Sequence, residues 1–145
     1  MSDIRHYRCS SCGGVNRLPA DKVGNNPTCG RCGASLDARA APQKVDDDEL
    51  EHLIANAPVP VLVDFYADWC GPCRALAPTV AELGQNHAGD LIIVKVDTDD
   101  NQRVARSLGV RGIPALFLYK GGQVVEQAAG AQSLGALEEL VEKYL

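Results

Sequence analysis

The stretch Val61-Leu62-Val63-Asp64-Phe65-Tyr66-Ala67-Asp68-Trp69-Cys70-Gly71-Pro72-Cys73 sets a buried strand directly against a cysteine pair. From Val59 to Tyr66 the chain is apolar apart from one acid, as expected of a central strand covered on both faces. From Cys73 to about Asn86, Leu76, Val80 and Leu83 recur at helical spacing, which predicts a helix that Pro78 should kink. The cysteines therefore sit at a strand-to-helix turn. Free N–H groups and the positive end of the helix dipole favour a thiolate there, so Cys70 is the expected nucleophile. Cys73, one turn further in and expected to be the more buried, is placed to attack the resulting mixed disulfide. Pro72 stiffens the turn.

Outward from this core, Leu91 to Val96 is a second apolar run, and strand, helix, strand implies parallel neighbours through a right-handed crossover. Asn101 to Leu108 suggests a short helix. Ala115 to Tyr119 and Gln123 to Gln127 flank Lys120-Gly121-Gly122, a hairpin signal. Ser133 should cap a last helix carrying Leu134, Leu137, Leu140 and Val141. Upstream, Asp46 and Glu49 have capping-box spacing ahead of Leu50, Leu53 and Ile54, and Pro58 and Pro60 stop that helix. The order predicts an α/β fold, a mixed central sheet with helices on both faces.

Six cysteines form three Cys-x-x-Cys pairs. Two of them, Cys9/Cys12 and Cys29/Cys32, are separated by sixteen residues, a spacing that brings four thiolates around one zinc ion. Gly13-Gly14, Gly30 and Gly33 give the backbone freedom to turn N–H groups toward sulfur. About 35 residues with so few large apolar side chains need such a staple. Two local disulfides or four free thiols are the alternatives. His6 is expected to be a surface residue, since four thiolates already close the site.

The chain has 145 residues, 46% hydrophobic and 23% charged, the composition of an average globular domain. No stretch approaches the roughly 20 apolar residues of a membrane span, and Met1 to His6 has no apolar core behind it. A cytosolic protein that binds no membrane is expected. Residues 1–40 hold six Lys and Arg against three acids, and residues 41–145 eight against sixteen. Arg5, Arg8, Arg17, Lys22 and Arg31 make the first part mildly basic, but with one aromatic and no dense basic run nucleic acid is not an expected partner. The expected organisation is a zinc-binding four-cysteine module over 1–36, a linker over 37–44 and a larger domain over 45–145.

Residues 44–145 resemble the thioredoxin family, on Val63 to Cys73, on Val110-Arg111-Gly112-Ile113-Pro114 and on Gly121-Gly122. With the four-cysteine module in front, the whole chain resembles the zinc-containing thioredoxin 2 type of bacteria. The resemblance implies a thioredoxin fold preceded by a zinc-ribbon-like module, and a protein disulfide reductase working through a Cys-Gly-Pro-Cys dithiol. It implies a cis-proline at Pro114, substrate pairing along the Ile113 backbone, and a rim of Trp69, Gly112 and Gly130 beside the Gly71-Pro72 turn. Asp64 would be buried beneath the cysteines to take the proton of Cys73, with Lys95 tuning it; a strand-end carboxylate that only caps or pairs is the alternative. One structural zinc per chain, on Cys9, Cys12, Cys29 and Cys32, is the expected bound cofactor. NADPH would act indirectly, through thioredoxin reductase, the expected partner besides disulfide-containing proteins. The chain is expected to be a monomer with roles in electron transport and the oxidative stress response. The contrasting expectation is a zinc-dependent client-binding or redox-sensing module with a regulatory dithiol. His52 and His87 are expected to be solvated, so a Cys/His hydrolase is poorly supported.

Overall fold

The computed structural model describes residues 3–145. The larger part is built on one five-stranded sheet. Its strands are β3 (Gln43–Lys44), β4 (Val61–Tyr66), β5 (Ile92–Asp97), β6 (Ala115–Lys120) and β7 (Gln123–Ala129), in the spatial order β3-β5-β4-β6-β7. β3, β5 and β4 run parallel, and β6 and β7 run antiparallel to their neighbours. The helices are α1 (Asp47–Asn56), α2 (Gly71–Asn86), α3 (Arg103–Ser107) and α4 (Leu134–Glu142).

Strand parity sorts the two layers. Val61, Val63 and Phe65 pack with Leu50 and Leu53 of α1 and Val104 and Ala105 of α3. Leu62 packs with Leu76, Val80 and Leu83 of α2 and Leu137 and Val141 of α4. Asp64 shares the parity of Leu62 and so lies on the α2 side, where burial withdraws an acid from bulk solvent.

Caps set the helix ends. Asp46 accepts from Glu49 N at 2.8 Å and Glu49 Oε1 accepts from Asp46 N at 3.1 Å, completing the expected capping box. Ser133 Oγ accepts from Ala136 N at 3.1 Å and starts α4. α2 begins at Gly71, two residues earlier than the periodicity suggested, because Cys70 itself is the cap. It runs through Pro78 as one helix.

The first part folds as a hairpin, β1 (Ile4–Arg8) with β2 (Val15–Pro19), that periodicity did not predict. It is docked on the sheet domain. His6 N donates to Gly89 O at 2.8 Å, and Val15 packs against the α1 core. Arg8, one of the residues that make this part mildly basic, is buried: it donates to Gln43 Oε1 at 2.5 Å and Glu49 Oε2 at 3.2 Å. The stretch expected as a linker is partly structured too. Gln43 and Lys44 pair with Val94 and Lys95, a strand too short and polar to show a period. Ala40 O lies so close to α2 that a methyl on Gly84 would sit 2.9 Å from it.

Candidate active site and metal centre

The end of β4 delivers Cys70 to the N-cap of α2, where it accepts from Cys73 N at 3.2 Å. That bond supplies to the sulfur one of the N–H groups left free in the first turn. Cys70 and Cys73 are joined as a disulfide, with Cα atoms 5.2 Å apart. Burial does not distinguish them: each is 4% exposed, where the sequence suggested a more buried Cys73. Both are covered because Tyr66, Ala67 and Ile113 pack around the pair.

Ile113 O, in the loop before β6, lies 3.8 Å from Cys70 Sγ, and the Ile113–Pro114 peptide is cis. Gly112, Ile113, Pro114 and Gly130 line one continuous groove of about 580 Å3. Trp69 is 68% exposed at the edge of the site. Its indole Nε1 donates to Asp99 at 3.0 and 3.3 Å, so a large apolar surface is held out in water in a fixed pose. Gly71 and Pro72 are exposed in the first turn of α2.

Asp64 is buried, and its Oδ1 has no hydrogen-bond partner. Burial raises the carboxyl to about 6, against a smaller lowering by Lys95. Lys95 is its register neighbour on β5, with Nζ 4.3 Å above the Tyr66 ring. Burial thus moves this carboxyl up toward the range of groups that trade protons near neutral pH.

The second cluster is in the hairpin module. The sulfurs of Cys9, Cys12, Cys29 and Cys32 all lie within 4.8 Å of one another. Cys9 to Cys32 is 3.7 Å and Cys12 to Cys29 is 3.6 Å. Four thiolates on a zinc ion at about 2.3 Å would be about 3.8 Å apart along each tetrahedral edge, so the donor set fits that ion. The two turns repeat each other. Gly13 N returns to Cys9 O at 2.8 Å and Gly33 N to Cys29 O at 2.9 Å, both glycines at φ +80°, where a side chain would strain the backbone. Asn16 Nδ2 at 3.5 Å and Arg31 N at 3.4 Å donate to Cys29 Sγ, and these bonds, with the Cys32 backbone, hold its thiol down to about 6. His6 is half-buried in β1 and outside the cluster.

A family model described as Thioredoxin matches residues 41–143, and one described as Thioredoxin 2, N-terminal, matches residues 8–34. The chain belongs to the thioredoxin family. Thioredoxin 1 of Nostoc sp. is 44% identical over 106 residues, covering 73% of this chain and 99% of that protein. Thioredoxin C-3 of Corynebacterium nephridii is 33% identical over 137 residues, covering 94% and 93%, so that match extends over the hairpin module. A solved mutant thioredoxin from Halobacterium salinarum superposes with a TM-score of 0.67 at 40% identity, covering 74% of this chain and 94% of that one. The sheet domain is thus a thioredoxin fold behind a zinc ribbon. As a thioredoxin the protein is a thiol–disulfide oxidoreductase, and the four-cysteine ribbon points to a structural zinc.

Asp99, Asn16 and Arg74, which donates to Asp68 O at 2.8 Å, shape these sites but were not singled out from sequence. Asn16 and Asp99 lie thirteen and thirty residues from their partners, and no local motif announces them. His87, expected to be solvated, is half-buried and pairs with Glu138 Oε2 at 2.5 Å, because α4 packs beside the end of α2. No described helix is long and apolar enough to cross a membrane.

Proposed function

We propose that the protein is a protein disulfide reductase whose dithiol is Cys70 and Cys73. The Cys70 thiolate attacks one sulfur of a target disulfide, forming a Cys70–target disulfide and expelling the other target sulfur as thiolate. Asp64 takes the proton of Cys73 through water, with Lys95 tuning its acidity. The Cys73 thiolate then attacks Cys70, closing the intramolecular disulfide and releasing the second target thiol. Two electrons pass to the target, and thioredoxin reductase returns them at the expense of NADPH. The target lies as an extended segment along the Ile113 backbone, against Pro114 and the Gly71-Pro72 turn, with Trp69, Gly112 and Gly130 as its rim. Cys9, Cys12, Cys29 and Cys32 hold one zinc, which supplies fold stability to residues 1–36, joined through 37–44 to the domain over 45–145. The setting is a reducing cytoplasm, where a monomer of this kind serves electron transport and the response to oxidative stress.

The observation that carries this reading is the Cys70 sulfur at the α2 N-cap, with Asp64 on the same side of β4 and Ile113 O beside it. Reduction of insulin by the full chain with a reductase and NADPH tests it. Turnover should disappear in Cys70→Ser, and Cys73→Ser should accumulate the mixed disulfide. Turnover surviving in Cys70→Ser refutes the assignment.

One observation favours the contrasting, redox-sensing role: Cys12 and Cys32 are exposed and reachable by oxidants. Zinc retained under peroxide that fully oxidises Cys70 and Cys73 would exclude it.

A further inference from the structure

A cavity of about 260 Å3 opens beside the dithiol, lined by Trp69 and by Gly112 and Ile113, which also line the target groove. Its remaining apolar lining comes from Ala105 and Val110, and Arg106 and Arg111 stand exposed at its mouth. Arg106 Nη2 donates to Gln102 Oε1 at 3.0 Å, a bond between two residues that both line the cavity. Neither arginine has a salt-bridge partner among the described residues. No carboxylate lines the cavity, and the nearby Asp99 is engaged by the Trp69 indole. A chain of net charge −5 thus places two arginines that form no salt bridge among the described residues at one edge of its reactive centre.

An apolar pocket with a guanidinium mouth suits a side chain that has both characters. The methylenes of a glutamate lie on the apolar lining while its carboxylate accepts from the planar guanidinium fork. A lysine in the same place brings like charges together. We infer that this cavity is a specificity subsite that selects targets carrying a glutamate within a few residues of the attacked cysteine. The inference rests on the Cys70 and Cys73 reading.

The test uses the reduced full chain and short peptides with one internal disulfide. A single Glu, Gln or Lys is placed in turn at each of the three positions on either side of one cysteine. At low salt the rate of reduction for Glu should exceed that for Lys by about fivefold or more at one or two neighbouring positions, the size expected of a partly exposed ion pair. The ratio should fall below about twofold in Arg106→Ser/Arg111→Gln and shrink in the unmodified chain at about 0.5 M salt. Because the ratio is internal to each variant, a general loss of activity cancels. Equal rates for Glu and Lys at every position, or a preference that survives the double substitution, overturns the subsite. If no peptide is reduced at all, the disulfide-reductase reading fails, and the subsite falls with it.

Discussion

Cys70-Gly71-Pro72-Cys73 and Cys29-Gly30-Arg31-Cys32 have the same spacing and opposite surroundings. After Cys73 the chain continues as Arg74 into a sixteen-residue helix packed on the sheet, and its first-turn N–H points at one sulfur. After Cys32 comes Gly33 at φ +80°, and the backbone folds back on Cys29 instead. Cys12 with Gly13 repeats that second pattern. The residue following the second cysteine thus separates a chain that continues as a helix from one that turns back over its first cysteine, while both turns give a backbone N–H to that first sulfur. The first pair packs with Tyr66, Ala67 and Ile113, and the ribbon's cysteines with Tyr7 and Leu36, flanked by partly buried Leu18 and Val23.

Metal removal should break the comparison most visibly. Chelation of the full chain should abolish amide-exchange protection in β1 and β2, because so few buried side chains cannot offset the ordering entropy of the ribbon. The thioredoxin domain should keep its own cooperative transition, shifted by a few degrees at most as the docking contacts go. A hairpin that stays protected without metal would show that the four thiols are not its staple.

Titration of Asp64 should come next in size. Burial raises this carboxyl from 3.8 to about 6 in the folded protein. Between those values the folded chain binds more protons than the unfolded one, so stability falls as pH rises through the window, by about 3 kcal/mol in all. Asp64→Asn, which has no charge to desolvate, should be about 3 kcal/mol more stable than the parent at pH 7 and little different below pH 4, by urea unfolding. The same variant should resolve mixed disulfides more slowly, with its pH dependence near 6 lost. A parent whose stability is flat from pH 4 to pH 7 would mean that Asp64 is solvated and carries no proton for Cys73.

The elements around Asp64 were legible because their residues obey a period. The run through β4 and the helical spacing of Leu76, Val80 and Leu83 are core patterns, and the capping box at Asp46 and Glu49 is a local motif. The four ligands were visible as spacing alone. Hidden from sequence were contacts between distant polar residues: Arg8 with Gln43 and Glu49, His87 with Glu138, Trp69 with Asp99. Each pairs groups that would be equally at home in water, so no hydrophobic pattern marks it. The equal burial of Cys70 and Cys73 was hidden for a related reason, since the Ile113 loop that covers them lies forty residues downstream.

Two glycines test how tightly the ribbon's connection is pressed on the thioredoxin domain. Gly84→Ala gains about 1 kcal/mol in helix propensity but sets a methyl 2.9 Å from Ala40 O and 3.3 Å from Ile93 Cδ1. Overpacking against backbone should exceed the gain, for a net loss of about 1 kcal/mol. Gly135→Ala in α4 meets nothing within 4 Å and should be stabilising by about 1 kcal/mol. If Gly84→Ala is as stabilising as Gly135→Ala, the chain at Ala40 is free to move away from α2.

The smallest effect should come from the residue that looks most like a clamp. Arg8 is buried between ribbon and domain, but its Nε has no partner, and one of its two acceptors, Glu49, is half in solvent. A cation in that position loses most of its hydration and regains only part of it through two side-chain bonds, so its net contribution is small. Glu49 keeps its capping bond to Asp46 N, and Gln43 Nε2 its bond to Arg8 O at 2.8 Å, whatever side chain stands at Arg8. Arg8→Met, which retains an unbranched apolar stem, should therefore change the unfolding free energy by less than about 1 kcal/mol and leave Arg5–Asp90, at 3.6 Å, as the ion pair that makes ribbon docking salt-dependent. Hydrogen exchange at His6, whose N–H bonds to Gly89 O, reports that docking directly. A loss of several kcal/mol would instead make the Arg8–Glu49 ion pair the bond that joins the two cysteine sites into one molecule.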